Sequence, residues 1–220
     1  MESQSTDNIT KEELTKIIDD LHFHIMIILL CMDELDALCE IKREEKIKLQ
    51  ANNFFYIAHS SLIFRYEIEL AKLVNNDEQR SVIKICALCK THADYFFAPE
   101  EINNLCNRMK QVINSYSEQN YNLKQRRNTA LAHSDSDYYF YDEKYIKDYP
   151  IDYDKLKQEA EHIYNFAKEL QFKIGSARTI VNFPAQSDDV KHLFGIKTDA
   201  DIEKERIENK LKENWKQSKQ

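Results

Sequence analysis

The 220-residue chain has only two glycines (Gly175 and Gly195) and three prolines (Pro99, Pro150 and Pro184). Strand-rich folds need frequent tight turns, and Gly and Pro are what make them. Their scarcity argues against a sheet protein and for long helices joined by a few loops. Excess positive charge is also missing: 31 Lys and Arg face 38 Asp and Glu, a net charge of −7. A protein that wraps nucleic acid along an extended groove is ordinarily basic, so any nucleic-acid contact here must be local. No long apolar run occurs. The longest, Ile25 to Met32, is far short of the roughly 20 residues that span a bilayer, and the opening Met1-Glu2-Ser3-Gln4 has no secretory character. The five cysteines, Cys31, Cys39, Cys86, Cys89 and Cys106, all fall inside apolar helical patterns. Thiols used as small hydrophobes in this way suit a reducing cytoplasm. The expectation is a cytoplasmic chain with no membrane segment, no metal and no cofactor.

The apolar fraction is 42% and the charged fraction 31%, which places the chain among globular proteins. Residues 1–9 are polar and read as a disordered N-terminus. Thr10 with Glu13 forms a capping-box pattern, and Leu14, Ile17, Ile18, Leu21, Ile25, Ile28, Leu29, Met32, Leu35 and Leu38 continue it with helical periodicity. The charged run 42–46 marks an end or bend. A second helix over about 50–74 is apolar nearly all round, which predicts a central helix buried on several sides. Asn75-Asn76-Asp77 reads as a turn, and a shorter helix follows over about 79–94. Pro99 with Glu100 and Glu101 suits a first helical turn, and the stripe Ile102, Leu105, Met109, Val112, Ile113, Tyr116, Leu123, Ala130 and Leu131 predicts one helix from 99 to about 133. Ser134 to Asp137 favours a cap or turn. A tyrosine-rich loop, a helix over about 152–173, a loop at 174–186 and a short helix from Asp188 to Phe194 complete an all-α, up-down bundle over 10–195. Residues 196–220 form a charged C-terminal helix or tail with the thin stripe Ile202, Ile207, Leu211 and Trp215.

One segment has the residue types for phosphate chemistry: Lys124, Arg126, Arg127, Asn128 and His133, at the end of the long predicted helix. A guanidinium is a planar fork of donors that matches a phosphate, and a histidine exchanges protons near neutral pH. Together they can cleave RNA through its own 2′-hydroxyl, one group moving the proton and the other holding the phosphate charge, with no metal. Cations at a helix C-terminus also complement its negative pole, so spacing alone leaves a structural role open. At about 100° per residue, Arg126 shares a face with His133 while Arg127 lies about 120° away. Arg127, however, falls on the apolar stripe with Leu123 and Ala130, which aims it at a core or interface, where a charge needs a partner or a site.

The segment Arg127-Asn128-Thr129-Ala130-Leu131-Ala132-His133, with Asp135 following, resembles the signature of HEPN domains: an arginine, a polar residue, and a histidine after a short spacer. The Leu-Ala-His-x-Asp ending is similar to the abortive-infection U-type branch of that superfamily. So are the Phe54–Val74 helix ending in Asn76-Asp77, the helix start at Tyr153-Asp154-Lys155-Leu156, and Asp188 to Phe194. The resemblance implies a helical bundle that pairs as a homodimer, with two motifs meeting in one cleft. It also implies a metal-independent endoribonuclease of a phage-defence or toxin–antitoxin system, with RNA as substrate and an antitoxin or defence-system protein as partner. Carried over, His133 moves the proton, Arg127 clamps phosphate and Asn128 orients them. Arg126 and Lys124 are candidate phosphate contacts from geometry. Asp135 stands where related toxins carry a modifiable tyrosine, which argues against that route of silencing, although Tyr138 and Tyr139 are near. A non-catalytic HEPN-like module binding nucleotide or a partner protein is the alternative.

The remaining motifs read as structural. The tyrosines from Tyr138 to Tyr153 can stack bases, but Asp142, Glu143 and Asp148 between them repel phosphate. Cys86-Ala87-Leu88-Cys89 has CxxC spacing without a second pair. His22 and His24 point to opposite sides of their helix. His59 and Arg65 are expected as buried groups satisfied by Glu67 or Glu69.

Overall fold

The computed structural model describes residues 9–40, 53–128 and 143–176, together with 201–204, 206, 207 and 210. Every regular element among them is helical, and the fold is an all-α helical bundle. The helices are α1 (Lys11–Glu40), α2 (Asn53–Val74), α3 (Val82–Thr91), α4 (Pro99–Ser115), α5 (Ser117–Arg126), α6 (Glu143–Asp148) and α7 (Tyr153–Ile174), with a 3-10 turn at Ala93–Tyr95. Of the charged tail, positions 201–204, 206, 207 and 210 are helical. The expectations for residues 1–8, the run 42–46, Ser134 to Asp137, the helix 188–194, Leu211 and Trp215 lie outside the described residues. No described helix is long and apolar enough to cross a membrane.

The chain divides into two compact units, Met1–Met32 with Ser60–Val181, and Asp33–His59 with Asn182–Gln220. The larger unit has the main core. Leu14, Ile18, Leu21, Ile25 and Ile28 of α1 are fully or almost fully buried at alternating four- and three-residue steps, and α7 repeats the pattern with Leu156, Ala160, Ile163, Ala167, Leu170 and Ile174. This spacing keeps one stripe inward, and each buried Leu or Ile stabilises by about 1.5–3 kcal/mol. Helix α4 packs on α3, on the 3-10 turn and on α7, with Ile102, Leu105, Met109 and Ile113 inward. In the smaller unit, Ala37 is buried, while Tyr56, Ile57, Ile202 and Ile207 are exposed.

Local chemistry sets the helix ends. Thr10 N–H donates to Glu13 Oε2 at 2.8 Å and Glu13 N–H to Thr10 Oγ1 at 3.2 Å, the reciprocal capping box expected from sequence. Pro99 opens α4. Asp152 caps α7 by accepting from Lys155 N–H, and Gly175 ends it at φ 77°, a left-handed position natural to glycine.

Two expectations change. Among the described side chains of the central helix the buried ones lie in its second half: Tyr66, Glu67, Leu70, Ala71, Leu73 and Val74 are inward, whereas Tyr56, Ile57 and Phe64 face solvent. The predicted continuous helix from Pro99 is broken at Tyr116. Asn114, Ser115 and Ser117 around the break are weak helix formers that bond locally to backbone; Ser115 Oγ takes the Val112 carbonyl at 2.7 Å. Asn120 then bridges the break, donating to the Ile113 carbonyl at 3.3 Å and to Glu159 Oε1 at 2.8 Å. Glu159 is completely buried, and desolvation pushes its carboxyl up to about 8.

Candidate functional site

Helix α5 supports the basic segment and is buried along an unusually polar face. Gln119 Oε1 accepts from Asp152 N–H at 2.8 Å, Asn122 Nδ2 donates to the Pro150 carbonyl at 2.8 Å, and Arg126 Nε donates to the Tyr149 carbonyl at 2.7 Å. Positions 119, 122 and 126 lie along one side of the helix. Their side chains satisfy backbone groups of the connector between α6 and α7.

Arg126 is the deepest of the basic residues, 3% exposed. Its Nη1 donates to Glu67 Oε1 of α2 at 2.8 Å, and the Glu67 side chain is 2% exposed. Tyr153 OH donates to the same oxygen at 3.3 Å, and its ring meets Tyr66 edge-on at 5.8 Å. Desolvation pushes the Tyr153 hydroxyl pKa up. The sequence stripe assigned the inward place to Arg127; the structure gives it to Arg126. Within α5 the buried positions are Asn122, Leu123 and Arg126, so the inward side continues from Leu123 to the residue three further on rather than four. With its fork spent on Glu67 and the Tyr149 carbonyl, Arg126 serves in this structure as a tether of α5 to α2 and to the connector, rather than as an open phosphate contact.

Beyond Arg126 the backbone widens into a π-turn at Arg127 and Asn128, a geometry frequent at functional sites. Asn128 is exposed. Arg127 is partly exposed, and its Nη1 donates to Glu78 Oε1 at 2.5 Å; Lys124 Nζ donates to Asp77 Oδ2 at 2.6 Å. Lys124 and Arg127, three residues apart and neighbours on the helix surface, thus meet two successive carboxylates of one turn. Lys124 holds the Asp77 carboxyl below its usual range by hydrogen bond and charge. The turn is fixed by Asn75, whose Oδ1 accepts from Asp77 N–H at 3.2 Å and whose carbonyl accepts from Glu78 N–H at 3.1 Å. Glu78 and Arg80 also form part of the wall of a cleft of about 520 Å³ shared with Asp20, His24, Glu69 and Lys72. Arg80 pairs with Asp20 at 3.2 Å and Lys72 with Glu69 at 2.9 Å there, so the cleft's charges are mixed and largely matched.

The structure therefore brings Lys124, Arg126, Arg127 and Asn128 to one helix end. His133, together with Thr129 to Ala132, Asp135 and the tyrosines from Tyr138 to Tyr141, lies outside the described residues. Glu67, Asp77 and Glu78 are the partners that sequence reading did not assign to this end. Glu67 was assigned to His59 or Arg65, but Arg65 is exposed and Glu67 serves Arg126, 59 residues away. Glu69 pairs with Lys72 on its own helix. The Asn75–Asp77 turn was legible; what it faces was not.

The cysteines whose side chains are described, Cys31, Cys86, Cys89 and Cys106, take buried packing positions. Cys106 of α4 shares hydrogen bonds with both thiols of the CxxC pair on α3, which with burial push the Cys86 and Cys89 thiols up. Among the described residues no group of three His, Cys, Asp or Glu is arranged to hold a metal ion. His22 is buried against Tyr164, centroids 5.1 Å apart, and burial lowers its pKa; His24 is exposed. The chain matches no family model, no curated protein and no solved structure.

Proposed function

We propose that this chain is a metal-independent endoribonuclease of the HEPN type, working as a homodimer in a phage-defence or toxin–antitoxin system. The observation that carries the reading is the pair Lys124 and Arg127, adjacent on the surface of α5 and each already holding an oxyanion. Those carboxylates stand where phosphate oxygens of an RNA backbone would bind, and both cations suit that chemistry. In the proposed reaction the RNA 2′-hydroxyl attacks the adjacent phosphorus and the 5′-oxygen leaves, giving a 2′,3′-cyclic phosphate and a free 5′-hydroxyl. His133 moves the proton, Arg127 stabilises the charge on the phosphate, Lys124 binds a neighbouring phosphate, and Asn128 orients the pair. Arg126, anchored by Glu67, fixes the helix end that bears them. A dimer would concentrate two sets of cations in one cleft, which reconciles RNA binding with a net charge of −7. The exposed Tyr56 and Ile57 of α2 supply apolar surface of the kind that protein contacts use.

The test is RNA cleavage by the full chain in EDTA. The expected products carry cyclic phosphate, and His133→Ala lowers the rate by a factor on the order of 10² to 10⁴, the usual worth of a general acid–base. Full activity in that variant refutes the mechanism. One observation favours a second reading, a non-catalytic module for a nucleotide or partner protein: both surface cations are already paired with carboxylates of the same chain. Expression separates the two. An active ribonuclease arrests growth and His133→Ala restores it, whereas a module is harmless in both forms.

A further inference from the structure

We infer that the Asp77–Glu78 turn is a built-in competitor for the RNA phosphate backbone, clasping Lys124 and Arg127 until RNA displaces it. The inference rests on the ribonuclease reading of this site and adds to it a means of control.

Three observations support the clasp. Two consecutive residues offer carboxylates to two site cations, at 2.6 and 2.5 Å. The carboxylates do not build the turn that presents them: Asn75 does, through its side-chain oxygen and its carbonyl, and Lys84 Nζ binds the Asp77 carbonyl rather than its side chain. Their acidity is therefore spent on the cations of α5 and not on local folding. Finally, the pairs are exchangeable. The Asp77 side chain is 75% exposed, and the Arg127 and Glu78 side chains, at 21% and 35%, are part-buried but still open to water; ion pairs that water reaches are weaker than buried ones. The neighbouring Arg126–Glu67 pair is buried on both sides and cannot exchange its partner without stranding a charge. The basic end of α5 thus has one permanent carboxylate partner and two removable ones. A polyanion that engages both surface cations at once can replace the removable ones, while a lone phosphate competes poorly with a tethered carboxylate.

The experiment is binding of a fluorescein-labelled single-stranded 2′-O-methyl RNA oligonucleotide of mixed sequence, which keeps the phosphates but lacks the attacking 2′-hydroxyl, to the full chain, read by anisotropy at low salt. Four proteins are compared: the wild type, Asp77→Asn with Glu78→Gln, Lys124→Ala with Arg127→Ala, and all four changes together. Removal of two weak competing pairs is expected to tighten RNA binding about tenfold, and the gain is expected to vanish when the cations are also removed. The single variants Asp77→Asn and Glu78→Gln, each expected to tighten binding about threefold, give the same answer should the double variant fold poorly. If Lys124→Ala with Arg127→Ala weakens binding but the amide variants bind no tighter than wild type, the clasp is refuted and the phosphate site stands. If all four proteins bind RNA equally, or none binds it, the phosphate site falls and the clasp with it.

Discussion

Replacing Glu159 with glutamine tests the electrostatics of the core where α4 gives way to α5. Glu159 is fully buried, one oxygen accepts from Asn120 Nδ2, and the other has no hydrogen-bond partner among the described residues. Burial without a cation disfavours the charged form, so its pKa rises from 4.5 to about 8. The folded state then keeps a proton that the unfolded chain releases at lower pH. Its contribution to stability is complete below the unfolded pKa of 4.5. It declines by about 1.4 kcal/mol per pH unit above that and levels off once pH passes the folded value. Across the window this amounts to about 5 kcal/mol, of which about 3 is already lost at neutral pH. Glutamine has the same shape and can keep the Asn120 bond but cannot ionise. Any cost of its unsatisfied amide is the same at every pH, so the slope and not the offset is diagnostic. Urea unfolding followed by circular dichroism, at intervals from about pH 5 to about pH 8, should show wild-type stability falling steeply while Glu159→Gln stays flatter by several kcal/mol over the range. Exposed carboxylates with lowered pKa, such as Asp77 and Asp152, lose their contribution as pH falls through their own lower values, and they do so in both proteins. Parallel curves for the two proteins would refute the reasoning, because Glu159 would then titrate alike folded and unfolded.

Two further predictions concern the frame of the site. Glu67→Ala strands the buried guanidinium of Arg126 and should cost about 3–5 kcal/mol in urea unfolding; a much smaller loss would mean that Arg126 finds another anion or reaches water. Gly175→Ala places a methyl at φ 77°, 2.8 Å from the tip of the exposed Phe97 ring. The ring can swing aside, so the expected loss is the left-handed backbone cost alone, about 1–2 kcal/mol, read as a lowered Tm. No change in Tm would show that the α7 terminus relaxes to another conformation.

Local chemistry was legible in the sequence. The Thr10–Glu13 box, Pro99 at the start of α4 and the Asn75–Asp77 turn depend on residues no more than three apart, and all appear as read. The helical class follows equally directly from the periodicity and the lack of turn formers. The break at Tyr116 was harder to see, because the apolar stripe runs through it: Ile113 and Leu123 are both buried on either side. Continuity of burial does not require continuity of helix. The exchange of roles between Arg126 and Arg127 has a different origin: Leu123 keeps its buried place after the break, and the positions three and four residues beyond it both border its stripe, so periodicity alone does not choose between the two arginines.

What sequence could not supply is partnership at a distance. Lys124 meets Asp77 across 47 residues, Arg127 meets Glu78 across 49, and Arg126 meets Glu67 across 59. No local pattern links these groups, yet they decide what each cation can do. A guanidinium facing a buried carboxylate is a structural tie, because parting the two leaves a charge without water or partner. The same group facing a carboxylate open to water is held less firmly, because water and salt already compete for both ions. By this criterion Arg126 and Arg127, adjacent in sequence and alike in chemistry, differ: the first holds α5 against α2 through a buried carboxylate, and the second, with Lys124, meets carboxylates that water can reach.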